Sequence, residues 1–319
     1  MEKVMLGSTG IEVSKIGFGV LPIGASQKNL PLEEGRALIK YAISKGINFF
    51  DTAQYYDTYK YMKDDKGEPT PCHLVISSKC LFAGYEDMMD AIVEACRELG
   101  REFIDIFLLH EVQGEEDFKS RSGAMRALID AKEQGLIRAA GLSTHHQDVC
   151  AMAADIPEID VVFPLINKDG LGIRLGAGPG TAQGMTDAIN KCSAAGKGVY
   201  AMKVFGGGNL CYEYKECMDF VASIEGVEAI VIGFTTKEEI DRAVEYAEGA
   251  LDPAYVPDVS KKMMYVSQDD CIGCGACRDR CPNKAIKINE SGLSEIDHSI
   301  CITCGYCAPV CPVRALIMY

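Results

Sequence analysis

Two runs of cysteine between positions 271 and 311 constrain this chain more than any other feature. Cys271, Cys274, Cys277 and Cys281 follow the spacing C-x-x-C-x-x-C-x-x-x-C and close on Pro282. Cys301, Cys304, Cys307 and Cys311 repeat the pattern and close on Pro312. Such runs hold [4Fe–4S] clusters, and the fourth cysteine of each run ligates the cluster of the other. Cys271, Cys274, Cys277 and Cys311 are therefore expected to hold one centre, and Cys301, Cys304, Cys307 and Cys281 a second. A zinc site or a disulfide framework is the competing reading. Neither calls for a three-thiolate run with a trailing Cys-Pro, still less for two copies. Because each cluster would cross-link both runs, folding of this segment is expected to depend on the metal.

The doubled run resembles that of the two-cluster bacterial ferredoxins, which implies a small α+β ferredoxin-like domain over residues 266–319. Residues 251–265, with Pro253 and Pro257, read as a linker, and residues 1–250 as a separate domain. A net charge of −14 over 319 residues argues against nucleic acid or an anionic membrane as partner, since both call for basic patches. No run of about 18 apolar residues appears, and the opening MEKVMLGSTG lacks the apolar stretch of a signal peptide. Apart from the loose pair Cys211 and Cys217, the other cysteines, Cys72, Cys80, Cys96, Cys150 and Cys192, lack metal-ligand spacing, and most of the seven read as small buried hydrophobes. Free thiols beside clusters point to a reducing, cytoplasmic and anaerobic setting.

Residues 1–250 alternate short apolar runs with amphipathic stretches. After a hairpin at 3–6 and 12–13, strands are expected at 15–19, 47–53, 73–79, 104–110, 137–143, 161–167, 198–204 and 229–234. Helical patterns lie between them, as at 31–46, 85–100 and 237–249, and many end on glycine. The segment 57–66 is too short for more than a turn or two of helix. Strands that each precede a helix make an α/β chain of the (β/α)8 TIM barrel class. No G-x-G-x-x-G follows the first strand, which counts against a doubly wound sheet.

Reacting groups in such barrels sit at the C-terminal ends of the strands. Here those ends carry Asp51, Lys79, His110, Ser143, Asn167 and Lys203. DTAQYY (51–56), VISSK (75–79), IDIFLLH (104–110), GLSTH (141–145) and the hairpin LGSTGIEVSKIGFG resemble motifs of the aldo/keto reductase superfamily, in the branch with a 4Fe-4S ferredoxin domain. The resemblance implies a tetrad of Asp51, Tyr56, Lys79 and His110 that reduces an aldehyde or ketone, or oxidises the alcohol. In that chemistry Tyr56 protonates the carbonyl oxygen, Lys79 lowers its pKa, Asp51 holds the ammonium and His110 orients the oxygen. Tyr55 competes with Tyr56 as the acid, and the family spacing favours Tyr56.

The resemblance also implies NADP(H), with Ser143, Asn167, Gly233, Thr235 and Thr236 as its contacts and Lys237 as a substitute cation; Lys203 reads either as an extra cation for an anionic substrate or cofactor group or as a barrel-rim lysine. The match is poorer there. Phe163 stands where the superfamily usually has a glutamine for the nicotinamide amide, and Glu239 where many members have a basic residue for the 2′-phosphate. Two glycine-rich stretches offer rival cradles: 175–189, beside Arg174 and running into a helix, and Gly206–Gly208. Each reads equally as a flexible loop. Nicotinamide gives up two electrons together, whereas a cluster passes one, and no flavin motif is evident. A redox partner protein is therefore expected beside the small-molecule carbonyl or alcohol. The alternative is a ferredoxin-type electron-transfer or redox-sensing subunit. Its barrel would use cluster-delivered electrons or a non-nicotinamide cofactor, or would have lost catalysis.

Overall fold

The computed structural model describes residues 1–319 apart from 26, 64–69, 72, 259–261, 282, 302–306, 309, 314 and 319. An antiparallel hairpin, β1 (Lys3–Met5) and β2 (Glu12–Ser14), comes first. It is followed by β3 (Ile16–Gly19), α1 (Leu32–Ser44), β4 (Phe49–Asp51), α2 (Tyr59–Met62), β5 (Val75–Cys80), α3 (Tyr85–Leu99) and β6 (Ile104–Leu109). Then come α4 (Glu115–Ser120), α5 (Ser122–Glu133), β7 (Ile137–Thr144), α6 (Gln147–Ala153) and β8 (Val161–Pro164). A short hairpin, β9 (Arg174–Leu175) and β10 (Gly178–Pro179), leads into α7 (Ala182–Ala194). The series ends with β11 (Gly198–Ala201), α8 (Tyr214–Ala222), β12 (Ala229–Gly233) and α9 (Lys237–Ala247). Strands β3 to β8, β11 and β12 pair in parallel and close into a barrel.

A period of two decides which side chains fill it. Phe49, Val75, Ile106, Leu108, Val161, Phe163, Tyr200 and Val231 pack inside, with Leu6, Ile11 and Val13 of the hairpin among them. The alternate residues Phe50, Ile76, Phe107, Leu109 and Val162 face the helices. Counting on by twos, Asp51 follows Phe49, Ser77 and Lys79 follow Val75, and His110 follows Leu108. The alternation that builds the apolar interior thus delivers these polar groups to the C-terminal mouth. Strands β8 and β11 stop earlier than the sequence suggests, so Asn167 and Lys203 lie in loops beyond them.

The tail holds β13 (Met264–Val266), α10 (Ala276–Arg280), β14 (Ile286–Ile288), β15 (Ser294–Ile296) and β16 (Leu316–Met318). β13 pairs with β16 and β14 with β15, both antiparallel. β13 begins inside the stretch read as linker. The tail lies against the barrel: Met318 N donates to Gly207 O at 3.0 Å. The Arg174 guanidinium donates to Pro312 O, and Phe205 and Cys211 pack with Met264, Cys277, Leu316 and Met318. Neither glycine-rich stretch is left as an open cradle. Thr181 caps α7 by accepting from Gly184 N, while Thr181 N donates to Gln147 Oε1 at 2.9 Å. Gly208, at φ +88°, approaches β16 so closely that a Cβ would collide with the carbonyl oxygen of Met318.

Gly208→Ala is expected to cost about 1–3 kcal/mol, combining left-handed strain with displacement of β16. Gly176→Ala, also at positive φ but with open space around its Cβ, carries the strain alone. Urea melts and the rate of protease cleavage in the tail compare the two.

Candidate active site and cluster site

Four elements bring the expected tetrad together. Asp51 ends β4, Lys79 lies in β5, His110 follows β6, and Tyr56 closes a 3-10 turn, Gln54–Tyr56, behind β4. Lys79 Nζ donates to Asp51 Oδ2 and to Thr52 O, each at 2.7 Å, in a buried setting. The ammonium lies 5.2 Å from the Tyr56 ring centre and 5.3 Å from that of Phe163. Phe163 stacks on Tyr200 at 4.2 Å, and the Tyr200 hydroxyl shares a 2.6 Å hydrogen bond with Ser77. Tyr56 Oη and His110 Nε2 are 3.4 Å apart. Tyr55 is 46% exposed and rests its ring against those of Tyr56 and His110.

Burial drives the titration of these groups. It pulls the Lys79 ammonium down and the Asp51 carboxyl up, and each partner's charge opposes the change. His110 is held well below the ordinary histidine value by burial and by the charges of Lys79, Arg121 and Lys203. Tyr56 is pushed well above the ordinary phenol value by burial, with Tyr55, Asp51 and Glu111 pushing the same way. Burial thus outweighs the lowering expected from Lys79 and sets the direction for Tyr56. Tyr56 thus stays protonated near neutrality and can donate to an oxygen more basic than itself.

A cavity of about 290 Å³ opens above the tetrad. Ser143, Lys203, Gly233 and Thr235 line it with the tetrad; Asn167, Thr236 and Lys237 do not. Asn167 Nδ2 donates to Leu171 O at 2.9 Å, Thr236 caps α9, and Lys237 lies over the Tyr41 ring. Ser143 Oγ accepts from Glu111 N at 2.8 Å. The sequence reading did not single out the further lining residues Glu111, Cys211, Lys262, Asp270, Ile317 and Met318. Glu111 and Lys203 hold left-handed backbone, φ 53° and 58°, a strain that gathers at functional rims.

In the tail, Cys271, Cys274, Cys277 and Cys311 surround one small void, lined also by Val266, Ile272 and Leu316. This is the set that the interleaved spacing calls for. Ser294 N donates to Cys271 Sγ at 3.4 Å, and Ala315 N to Cys311 Sγ at 3.3 Å, the kind of bond that orients thiolate ligands. Cys281, Cys301 and Cys307 join the same apolar cluster, and Cys304, expected with them, lies outside the described residues.

The sequence profile of the aldo/keto reductase family matches residues 15–222. The chain belongs to that family. A 4Fe-4S dicluster domain profile matches residues 250–315. Two curated relatives show how far the likeness extends. "Probable aldo-keto reductase 1" of Glycine max is 32% identical over 177 residues, 51% of this chain and 50% of its own. L-galactose dehydrogenase of Arabidopsis thaliana is 27% identical over 174 residues, 50% of this chain and 54% of its own. The chain thus spans about half the length of these curated relatives. The tail is similar to "Probable ferredoxin" of Methanosarcina thermophila, 47% identical over 34 residues, 11% of this chain and 59% of that one. The holo form of an aldo-keto reductase from Bacillus halodurans shares the fold, with a TM-score of 0.59 at 16% identity over 81% of this chain and 98% of that one. Aldo/keto reductases commonly use NADP(H). The donors that would meet its phosphates here do not fit that use, because Thr235 N and Thr236 N already donate to Glu239 Oε2.

Replacing Lys79 with Met leaves a buried carboxylate unpaired and is expected to cost about 3–5 kcal/mol, most of it recovered in Lys79→Met/Asp51→Leu. Denaturant melts of the two variants check this. Because His110 titrates lower folded than unfolded, the unfolded chain binds more protons below about pH 6.5, and stability falls with pH there. His110→Asn is expected to remove up to about 1.4 kcal/mol per pH unit of that fall, read from melts between pH 7 and 5.

Proposed function

We propose that the barrel mouth reduces the carbonyl of a small aldehyde or ketone, or oxidises the corresponding alcohol, in a chain that carries two [4Fe–4S] clusters. The observation that carries this reading is the contact of Tyr56 with His110 above the buried Lys79–Asp51 pair, at the floor of the cavity. A carbonyl oxygen seated between the Tyr56 hydroxyl and a neutral His110 accepts hydrogen bonds from both. As the carbonyl carbon is reduced, its oxygen becomes far more basic than a phenol and takes the Tyr56 proton. The Lys79 ammonium, fixed by Asp51 and the Thr52 carbonyl, then faces the new phenolate. Phe163, Met202 and Val231 line the cavity and give it apolar walls.

Cys271, Cys274, Cys277 and Cys311 would hold one cluster and Cys281, Cys301, Cys304 and Cys307 the other. Such clusters, when bound, exchange single electrons. Residues 1–250 form the barrel domain and 266–319 the cluster domain in this reading.

Purified without oxygen, the chain is expected to carry about eight iron and eight sulfide, the content of two such clusters. Tyr56→Phe is expected to lower kcat on responsive aldehydes or ketones by about 10²–10⁴ with iron content unchanged. Turnover by Tyr56→Phe equal to wild type would remove the assignment.

A further inference from the structure

In (β/α)8 barrels the loops after the seventh and eighth strands, with a helix N-terminus behind them, are the usual seat of phosphate groups. In this barrel the chain itself fills that seat. Thr235 N and Oγ1 and Thr236 N donate to Glu239 Oε2 at 2.7, 3.0 and 3.2 Å. Glu239 Oε1 accepts from Lys262 Nζ, from the segment before β13, at 2.8 Å. Burial works against charge on Glu239, but Lys262 and Thr235 override it and keep the carboxyl below its usual range. An anion already sits where a phosphate would, and its nearest ammonium is spent on it.

A second closure lies on the seventh-strand side. β16 crosses the glycines after β11, with Met318 N bonded to Gly207 O and Gly208 without room for a side chain. Ile317, Met318, Glu239 and Lys262 line the same cavity as the tetrad, so the closure and the reacting groups belong to one space. That space, about 290 Å³, is at the low end of the roughly 300–1,000 Å³ of small-molecule sites, room for a modest organic ligand.

We propose that the Glu239–Lys262 pair and strand β16 take the place of a dinucleotide at this mouth, so that the cavity holds its organic substrate alone. Given the carbonyl reading above, on which this consequence rests, the reductant is a single-electron donor from outside the chain. Each carbonyl then takes two electrons from two donor molecules and two protons, one from Tyr56 to oxygen and one from solvent to carbon. The donors are oxidised, the product is the alcohol, and Tyr56 regains its proton from solvent.

The test is anaerobic titration of the cluster-replete full chain with NADPH and NADH, followed by equilibrium dialysis and nicotinamide fluorescence. No saturable binding of either nucleotide up to about 1 mM is expected. Saturable binding of either below that concentration overturns the proposal. Reduced methyl viologen, offered with a panel of small aldehydes and ketones, separates the two readings. Viologen-driven turnover that Tyr56→Phe abolishes supports the closed mouth. Turnover driven by NADPH overturns it while leaving the carbonyl reading standing. Absence of nucleotide binding and of turnover with either reductant upholds the closure and sinks the carbonyl reading.

Discussion

The buried pair of Lys79 and Asp51 is the interaction from which the mouth of the barrel takes its form. Their side chains are 2% and 7% exposed, and two charges so far from water survive only by meeting each other and further polar groups. The Thr52 carbonyl supplies one such group, and Thr52 N in turn donates to Ser77 O at 2.9 Å, tying β4 to β5 just beneath the pair. An apolar pair of similar volume would serve stability as well or better, so the charges are best understood through the ammonium they hold between two aromatic rings. Tyr56, His110 and the cavity are arranged around that fixed charge.

Much of this was legible in the chain because one periodicity does two jobs. Apart from Ser77, the inward positions of β4, β5 and β6 are apolar until the last layer, where Asp51, Lys79 and His110 continue the same count. Tyr56 belongs to a turn, and periodicity does not reach it; only the motif DTAQYY marks it. Asn167 misled because strand β8 stops at Pro164, which turns its side chain to holding a loop together. Thr235 and Thr236 looked like free donors, yet Thr236 and Glu239 spell a T-x-x-E capping box, a local signal that a carboxylate returns to these amides. The arrival of Lys262 at that carboxylate has no local signal.

The same limit hid the docking of the tail. The cysteine spacing announces which sulfurs gather, and Cys271, Cys274, Cys277 and Cys311 do gather around one void. Nothing in the spacing says where the module rests. Its seat depends on a few contacts between segments remote in sequence, such as Gly207 with Met318 and Arg174 with Pro312. These are single hydrogen bonds, with no repeated pattern to betray them.

Strand β16 belongs to two structures at once. On one side it completes the sheet of β13 and packs among the cysteines of the tail, and on the other it walls the organic cavity. If the fold of the tail follows its clusters, as the interleaved spacing implies, it would not lose a cluster privately. Damage to such a centre would then loosen one wall of the cavity, so that the oxidation history of the iron would be written into the shape of the organic pocket.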